Sequence, residues 1–357
     1  MLKQPVAGYL KESKVWQMKN EAPSLNDVAE EAGVSKSTVS RILNNRLGNG
    51  FSVKEEVRLK VLDVAKKLNY RPNLIAKSLT MRSTQMVHIF GGNHALSDLG
   101  NIYQTVVNNF TKVMDSVSKG YDVTVDMSHH EPEDSEMPAW RIDGAVILAE
   151  CTKPTMDEIS KMGIPYVVIN GPCPDDGFAV LPDDIGGART AVEYLHKLGH
   201  ERIAYSGPLP PYLAGHSSLQ DRHDTYLSEV QKLGLEPIFS SHETLDSVED
   251  YLREVVFEKE ATAILAYGHM GALNLLQAAH SLEIAIPEDL SVMCFCDKYA
   301  NQVMSPNMTF IDLGSEKMGK VAAELLLKQM QKPGKVKPKK VVLNEKLVVR
   351  NSTAPPG

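Results

Sequence analysis

A short polar cluster near the amino end of the sequence carries side chains suited to hydrogen bonding with a nucleic acid. Four donors recur there at helical spacing, with no acidic residue among them: Lys36, Ser37, Ser40 and Arg41. On one face of a helix, such donors would meet the acceptor atoms that base edges expose in the major groove of DNA. The cluster therefore predicts a helix that reads DNA bases, and an ordinary helical hairpin with a polar face is the alternative.

Two helices and a tight turn would position these donors. Ser24 and Ser35 predict the N-caps of the two helices, and Gly33 supplies the backbone freedom that the turn between them requires. The apolar residues recur at helical spacing and predict a shared core, formed by Leu25, Val28, Ala29, Ala32, Val34, Val39, Ile42 and Leu43. The pattern is typical of a helix-turn-helix.

A third helix is predicted from about Val53 to Leu68, and it would close a three-helix core. Its inward side chains would be Val57, Val61, Leu62, Val64 and Ala65. Pro72 would stop the preceding helix, and Asn73 would cap a short new one carrying Leu74, Ile75, Ala76 and Leu79. A helix this short is not stable alone.

The distribution of charge agrees with this prediction, although the net charge of −7 does not. Residues 1–86 hold 15 Lys and Arg against 8 Asp and Glu, whereas the remaining 271 residues hold 23 against 37. A basic head on an acidic body suits a polyanion-binding module joined to a second domain. No apolar run is long enough to span a membrane, and no export signal is recognisable, so the cytoplasm is predicted. The cysteines lack CxxC spacing and are expected to be reduced thiols: Cys151, Cys173, Cys294 and Cys296.

Beyond Gln85 the sequence predicts strands alternating with helices. The predicted strands are Met86–Phe90, Tyr121–Asp126, Gly144–Leu148, Tyr166–Asn170, Arg202–Ser206, Ala263–Tyr267 and Ser291–Phe295. The predicted helices are Gly187–Leu198, Asp221–Leu233, Val248–Phe257, Gly271–His280 and Ser315–Gln331. This alternation indicates parallel sheets covered by helices on both faces. The length of the region favours two α/β subdomains with a cleft between them.

Motifs along the whole chain resemble those of the lactose-repressor (LacI) family. In the head they are Val28–Ser35, Thr38–Arg41, Asn69–Asn73 and Ala76–Leu79. In the body they are Asp183-Asp184-x-x-Gly187-Ala188, Leu198–Ala204, Ile286–Val292, Ser305–Thr309, Met318-Gly319 and Leu347–Pro355. The resemblance extends over residues 24–356.

The resemblance implies a homodimer whose two heads bind a nearly palindromic operator in double-stranded DNA. It assigns DNA contacts to Ser24, Ser35, Lys36, Ser37, Thr38, Ser40, Arg41, Asn44, Tyr70, Asn73, Ala76, Lys77 and Leu79. The hinge would fold on the DNA and lie in the minor groove. There Leu79 would part a base step and bend the duplex, with helix packing as its alternative role. The loop at Arg46–Ser52 is longer than is usual in the family and is expected to be loose.

For the body, the resemblance implies the fold of periplasmic sugar-binding proteins, with a small-molecule effector, a sugar or a related metabolite, bound between two parallel-sheet subdomains. Polar residues at the carboxyl ends of strands would line that cleft. The candidates are Asn93, Asn170, Asp183, Arg222, His269 and Asp297. Arg222 would grip a carboxylate or hydroxyls, and a surface or interdomain salt bridge is its alternative role. A structural role is likewise the alternative for Asn170, Asp183 and Asp297. His269 stands where many members carry an aspartate, which puts the usual ligands in doubt.

Two other functions fit the sequence less well. An α/β nucleotide-binding enzyme is disfavoured because the first strand is not followed by GxGxxG, and GxxxxGK[ST] is missing. No catalytic residue and no cofactor is therefore predicted. The second is a DNA-binding regulator whose sensor domain is degenerate and does not respond to a ligand. This alternative stays open because His269 and the shortened segment Met127–Trp140 depart from the family pattern where a ligand would bind. His129 and His130 are predicted to lie in a solvated loop and not to bind a metal.

The predicted organisation begins with an N-terminal extension at residues 1–23 and a helix-turn-helix domain at 24–70. A hinge at 71–84 follows, and then an effector-binding and dimerisation domain at 85–357. The sequence ends at Pro356-Gly357 without a leucine heptad, which favours a dimer over a tetramer.

Overall fold

The computed structural model describes residues 23–43, 52–71, 83–91, 102–117, 120–126, 141–149, 153–209, 216–241, 247–298 and 304–357. The chain divides into two compact units, Met1–Arg82 and Ser83–Gly357, which we call the head and the body. Several predicted site residues lie outside the described residues, namely Asn44, Asn73, Ala76, Lys77, Leu79 and Asn93. The same holds for most of the predicted hinge and for His129 and His130.

The head contains the three predicted helices: α1 (Leu25–Ala32), α2 (Lys36–Leu43) and α3 (Glu55–Lys67). Ser24 caps α1 as predicted, since its hydroxyl accepts hydrogen bonds from the backbone N–H groups of Asn26 and Asp27. Gly33 follows α1 with φ +67°, the left-handed conformation that makes the turn possible. The buried core is formed by Val28, Ala29, Ala32, Val39, Ile42, Val61, Val64 and Ala65.

The prediction for one core residue of the head is wrong. Leu62 is exposed, and Leu59 on the same helix is exposed as well. The buried face of α3 follows Val61, Val64 and Ala65, and a residue directly after Val61 is rotated by about 100° away from that face.

The body is built on two sheets. The first has the strand order β10-β5-β4-β3-β1-β2, and all its pairings are parallel. Its strands are β1 (Met86–Phe90), β2 (Asp122–Val125), β3 (Gly144–Leu148), β4 (Tyr166–Ile169), β5 (Phe178–Pro182) and β10 (Lys339–Leu343). The second sheet has the order β11-β9-β8-β7-β6 and is parallel except for β11. Its strands are β6 (Ile203–Ser206), β7 (Ala263–Ala266), β8 (Ser291–Cys296), β9 (Thr309–Asp312) and β11 (Lys346–Val348).

Helices cover both sheets. Those of the first subdomain are α4 (Ile102–Ser116), α5 (Lys153–Met162) and α10 (Ser315–Gln331). Those of the second are α6 (Asp184–Lys197), α7 (Ser217–Lys232), α8 (Val248–Leu252) and α9 (His269–Ser281), with α8 continuing as a π-helical turn over Arg253–Glu258. Within the described ranges, no helix is both long and apolar enough to cross a membrane.

The fold class predicted from the sequence is confirmed, and each of the seven predicted strands is present. The prediction missed β5, β9, β10 and β11, as well as α4 and α5. Two of these strands, β10 and β11, lie at the edges of their sheets and carry few consecutive apolar residues; β10, for example, begins with Lys339 and Lys340, both exposed. Their place in the sheet comes from pairing with a neighbouring strand, which a local pattern does not encode.

Three crossover segments carry the chain between the two subdomains. They connect β5 to α6, β9 to α10, and β10 to β11, at residues 182–184, 312–315 and 343–346. The second crossover brings α10 back to the first subdomain, where it packs closely on α4: a Cβ atom added to Gly319 would lie 2.2 Å from the carbonyl oxygen of Val106. The crossovers therefore place residues that are distant in the sequence around one region of the body.

Candidate DNA-reading head and effector cleft

The predicted DNA-reading residues of α2 form a polar outer surface. Lys36, Ser37 and Arg41 are exposed and Ser40 is half-buried, while Val39 and Ile42 of the same helix are buried in the head core. The first turn of α2 contains no acidic residue, and Arg41 lies in its last turn. The helix therefore presents donors outward on a rigid support, which the major groove of DNA requires.

Hydroxyl groups organise the start of α2. The Ser35 hydroxyl accepts a hydrogen bond from the Thr38 backbone N–H at 3.2 Å, as expected of an N-cap. It is also 2.8 Å from both the Ser37 and the Thr38 hydroxyls. Hydroxyls and the N-terminus of a helix are groups that commonly bind DNA phosphates. The other predicted contacts lie elsewhere on the head: Ser24 is exposed at the start of α1, and Tyr70 is half-buried after α3.

In the body, Asp297 is a buried acceptor between the two subdomains. It follows β8, and its carboxylate accepts hydrogen bonds from the hydroxyls of Thr105 at 2.8 Å and Ser315 at 3.0 Å. Thr105 belongs to α4 and Ser315 begins α10, and both helices pack on the first subdomain. These bonds therefore join the end of a second-subdomain strand to the first subdomain.

Asn170 takes part in a second polar connection. Its side-chain N–H group donates to the Tyr103 hydroxyl at 3.1 Å, and this hydroxyl lies 3.5 Å from Nε2 of His216. The other ring nitrogen of His216 is 2.6 Å from the Ser218 hydroxyl, which lies 3.0 Å from the Tyr267 hydroxyl. A chain of polar contacts thus runs from the end of β4 in the first subdomain to the end of β7 in the second.

Arg222 is buried and already paired. Its Nε donates to a carboxylate oxygen of Asp184 at 2.6 Å, and its Nη1 donates to the carbonyl oxygen of Tyr267 at 2.7 Å. The guanidinium lies 4.1 Å from the ring centroid of Phe295 and 4.8 Å from that of Tyr267. Burial alone would lower the pKa of Arg222, but the Asp184 carboxylate outweighs it, so the pKa is raised and the charge is retained. The salt bridge considered as an alternative role for Arg222 is therefore present.

The two aspartates of the Asp183-Asp184 motif have different roles. Asp183, the residue predicted to bind an effector, caps α6 by accepting a hydrogen bond from the Gly186 backbone N–H at 3.1 Å. Asp184 is only 5% exposed and contacts Arg222. Asp184 was not among the predicted effector residues, because adjacent aspartates cannot be told apart without the direction in which each side chain leaves the helix.

Glu345, in the third crossover, is a half-buried residue whose carboxylate is turned inward. Both of its carboxylate oxygens are buried, and neither has a hydrogen-bond partner among the residues that the structure describes. A Cβ atom added to Gly187 would lie 1.6 Å from one of these oxygens, so the carboxylate occupies the space that glycine leaves on α6. Burial raises the pKa of Glu345 to about 8; Asp184, Asp183 and Asp312 add to the rise, and Arg222 opposes it.

A cavity of about 300 Å³ opens beside these crossovers. It is lined by Asp297, Lys298, Asp312, Gly314, Ser315, Glu316, Lys317, Lys320, Asn344 and Lys346. Of the predicted effector residues that the structure describes, Asp297 alone lies on this wall. His269 lies elsewhere, half-buried at the start of α9. Within the described ranges, no group of His, Cys, Asp and Glu side chains could hold a metal ion.

Comparisons with known proteins agree with this architecture. Residues 24–73 match the model of bacterial regulatory proteins of the lacI family, and residues 192–353 match the periplasmic binding protein-like domain. The catabolite control protein A of Streptococcus mutans is 30% identical over 348 residues, which cover 92% of this chain and 98% of that protein. A probable transcriptional repressor of Bacillus subtilis, ExuR, is 27% identical over 92% of this chain and 98% of its own length.

Solved structures have the same fold. A complex of the regulator CelR with cellobiose is 25% identical, has a TM-score of 0.62, and covers 92% of this chain and 99% of that one. The lac repressor dimer bound to operator and an anti-inducer is 21% identical, with a TM-score of 0.75 over 94% of this chain and 100% of that one. The chain belongs to the LacI family of bacterial regulatory proteins. It is a DNA-binding transcriptional regulator with a helix-turn-helix head and a periplasmic-binding-protein-like body.

Proposed function

We propose that this regulator represses transcription by binding as a homodimer to a nearly palindromic operator, with α2 of each head in the major groove. The acid-free outer face of α2 carries this proposal, because Lys36, Ser37, Ser40 and Arg41 offer donors to base edges and phosphates. Relatives that cover nearly the whole chain include proteins named as repressors, among them ExuR of Bacillus subtilis and PurR of Actinobacillus pleuropneumoniae.

The remaining predicted DNA contacts are part of the same proposal. Asn44, Asn73, Ala76, Lys77 and Leu79 would extend the interface from the recognition helix into the minor groove, with Leu79 as the wedge that bends the duplex. Leu79→Ala should then weaken operator binding and reduce DNA bending in a gel-phasing assay. Unchanged bending would contradict the wedge role and leave the α2 contacts unaffected.

We further propose that a small polyhydroxylated effector, a sugar or a related metabolite, binds between the two subdomains and alters operator binding. The polar ends of β4, β7 and β8 lie at the junction of the subdomains, together with Asn170, Arg222 and Asp297. Hydroxyl-rich ligands suit such a mixture of donors and acceptors. A cellobiose complex and a ribose complex occur among structures of the same fold. His269, Asp183 and Asn93 remain candidate contacts.

One observation favours the alternative, a regulator that does not respond to a ligand. Three predicted effector residues already have protein partners: Asn170 contacts Tyr103, Arg222 is paired with Asp184, and Asp297 accepts two hydroxyls. An effector would have to replace some of these contacts, because buried polar groups need partners. A degenerate sensor domain would keep them permanently.

A selection experiment separates the two functions. DNA bound by the full-length protein is selected from a random pool, with and without a metabolite extract, and the selected sequences are compared. Effector control predicts enrichment of one inverted repeat and a change in the bound fraction when the extract is present. A thermal-shift screen of mono- and disaccharides follows, since a ligand at one hundred times its Kd stabilises the folded protein by about 2.7 kcal/mol. An operator that emerges without any ligand response would support the ligand-independent alternative.

A further inference from the structure

Glu345 lies in a segment that connects the two subdomains, so a relative movement of the subdomains would change its surroundings. Its crossover, residues 343–346, leaves the first sheet at β10 and enters the second at β11. The side chain is turned towards the first turns of α6, where one carboxylate oxygen fills the space beside Gly187. Asp183 connects the same two segments, because its backbone N–H donates to the carbonyl oxygen of Leu343 at 3.0 Å. Glu345 is thus a polar side chain packed inside the junction of two crossovers.

The surroundings of Glu345 do not favour a negative charge. Arg222 of α7 is the nearby cation, but its guanidinium donates to Asp184 and to the Tyr267 carbonyl. The buried Arg222–Asp184 pair has no net charge, so an ionised Glu345 would leave the cluster negative. The charged groups that act on Glu345 from neighbouring elements are Asp183 and Asp184 at the start of α6, Arg222 on α7, and Asp312 at the end of β9. In its own segment, Lys346 is exposed.

A buried carboxylate without hydrogen-bond donors is expected to bind a proton rather than remain charged. The raised pKa of Glu345 agrees with the geometry on this point. In the arrangement seen here, the cross-subdomain contacts Thr105–Asp297 and Tyr103–His216 are made, and Glu345 is enclosed. If the subdomains separated at the crossovers, water would reach the carboxylate and the proton would be released to solvent.

We propose that Glu345 is a proton-linked switch of the body: its protonated form stabilises the enclosed arrangement of the crossovers against Gly187, and its ionised form favours their separation. One proton is released to solvent for each body that opens. Because the switch involves only the protein and a proton, it does not depend on the proposed effector. The body would therefore open progressively as the pH rises into the mildly alkaline range.

The sign and size of the effect follow from linkage between proton binding and conformation. The enclosed arrangement binds the proton more tightly than the open one, so a rise in pH favours the open arrangement. Between the pKa of the open form and that of the enclosed form, each pH unit raises the open-to-enclosed equilibrium constant about tenfold. Glutamine cannot ionise, so Glu345→Gln should stay enclosed over the whole range. Glu324→Gln is a matched control, because Glu324 is exposed on α10.

The test uses the full-length protein and infrared difference spectroscopy between pH 6 and pH 9. We expect the wild type to lose one carboxylic-acid C=O band as the pH rises, and Glu324→Gln to behave in the same way. Labelling glutamate with ¹³C should shift this band, which assigns it to a glutamate without any variant. Glu345→Gln should lack the band. A wild type in which no glutamate band titrates, or a band that persists in Glu345→Gln, would overturn the proposal.

Hydrogen exchange then reports on the opening itself. After correction for the intrinsic pH dependence of exchange, amides in residues 183–190 and 341–348 should exchange roughly tenfold faster per pH unit in the wild type over the titrating range. Glu345→Gln should abolish this dependence, whereas Glu324→Gln should preserve it. Equal dependence in the wild type and Glu345→Gln would also overturn the proposal.

Discussion

The carboxylate of Asp184 lies 2.6 Å from the guanidinium of Arg222, and both side chains are at most 5% exposed. From the sequence, Arg222 and Asp183 were both predicted to bind an effector in the cleft. In the structure, Arg222 forms an ion pair with Asp184 instead, and this pair connects α6 to α7. Any effector contact made by Arg222 must therefore coexist with a buried ion pair.

Breaking this pair from one side should be strongly destabilising. Arg222→Met leaves Asp184 buried without its cation, and we expect a loss of about 3–5 kcal/mol in the free energy of unfolding. Asp184→Asn leaves Arg222 without its anion and should act in the same direction. The double variant should cost clearly less than the sum of the two single variants, as measured by urea unfolding. Additive losses would mean that the two side chains are not coupled.

The Thr105–Asp297 hydrogen bond should stabilise the contact between the two subdomains. Thr105→Val preserves the shape of the side chain but removes the donor, so Asp297 loses the Thr105 hydroxyl and keeps that of Ser315. We expect a loss of about 1–3 kcal/mol in the free energy of unfolding. Thr105→Ser keeps the hydroxyl and serves as the control. If both variants lost the same stability, the hydrogen bond would not be the cause.

The close packing of α4 on α10 depends on Gly319. A side chain there would overlap the backbone of Val106, so Gly319→Ala should cost at least about 1–3 kcal/mol of stability. Gly271→Ala is the matched control, because nothing lies within 4 Å of the added Cβ atom in α9. That substitution should be neutral or stabilise the protein by up to about 1 kcal/mol. Thermal unfolding of both variants gives the comparison, and equal losses would contradict the packing argument.

Arg41 should contribute to base recognition. Arg41→Ala is expected to cost about 1–3 kcal/mol of operator binding and to relax the preference at one base pair of each half-site. Arg58→Ala is the control, because Arg58 lies on α3 and is paired with Glu55 at 2.9 Å. Binding to the selected operator and to its single-base variants provides the measurement. A uniform loss across all sequences would instead indicate a phosphate contact.

Acid should destabilise the body through His200. This ring is 1% exposed and contacts the Thr262 hydroxyl and the Ala354 carbonyl, both at 2.9 Å. Burial lowers the pKa of His200 below its ordinary value of 6.5. The unfolded chain therefore binds a proton first, and the stability present above pH 6.5 is lost as the pH falls.

The variant His200→Gln removes the titrating group and retains a donor. Its melting temperature should fall less than that of the wild type between pH 7.5 and pH 5, even if it is lower throughout. Burial also lowers the pKa of His88, and this residue is present in both proteins. Part of the loss of stability in acid should therefore remain in His200→Gln. His280→Gln is the control, since His280 is exposed on α9. Identical slopes for His200→Gln and the wild type would exclude His200 as the cause.

The head and the fold class of the body can be predicted from local sequence patterns. Ser24, Gly33 and Ser35 act within a few residues of their own positions, and the apolar spacing of α1 and α2 describes one face of each helix. Caps, turns and helical periodicity are local properties, so they can be predicted without the fold. The alternating strands and helices likewise predicted parallel sheets. Such patterns are less precise for single residues, since Leu62 was predicted to be buried and is exposed next to the buried Val61.

The contacts between the subdomains cannot be predicted in this way, because they depend on long-range packing. Thr105 and Asp297 are 192 positions apart, and Gly187 and Glu345 are brought together only because the third crossover passes beside α6. Partners at such separations depend on strand order and on the path of the crossovers, which no local pattern encodes. The protonation of Glu345 depends on them as well, because burial and the neighbouring charges set a pKa, and both are properties of the folded chain.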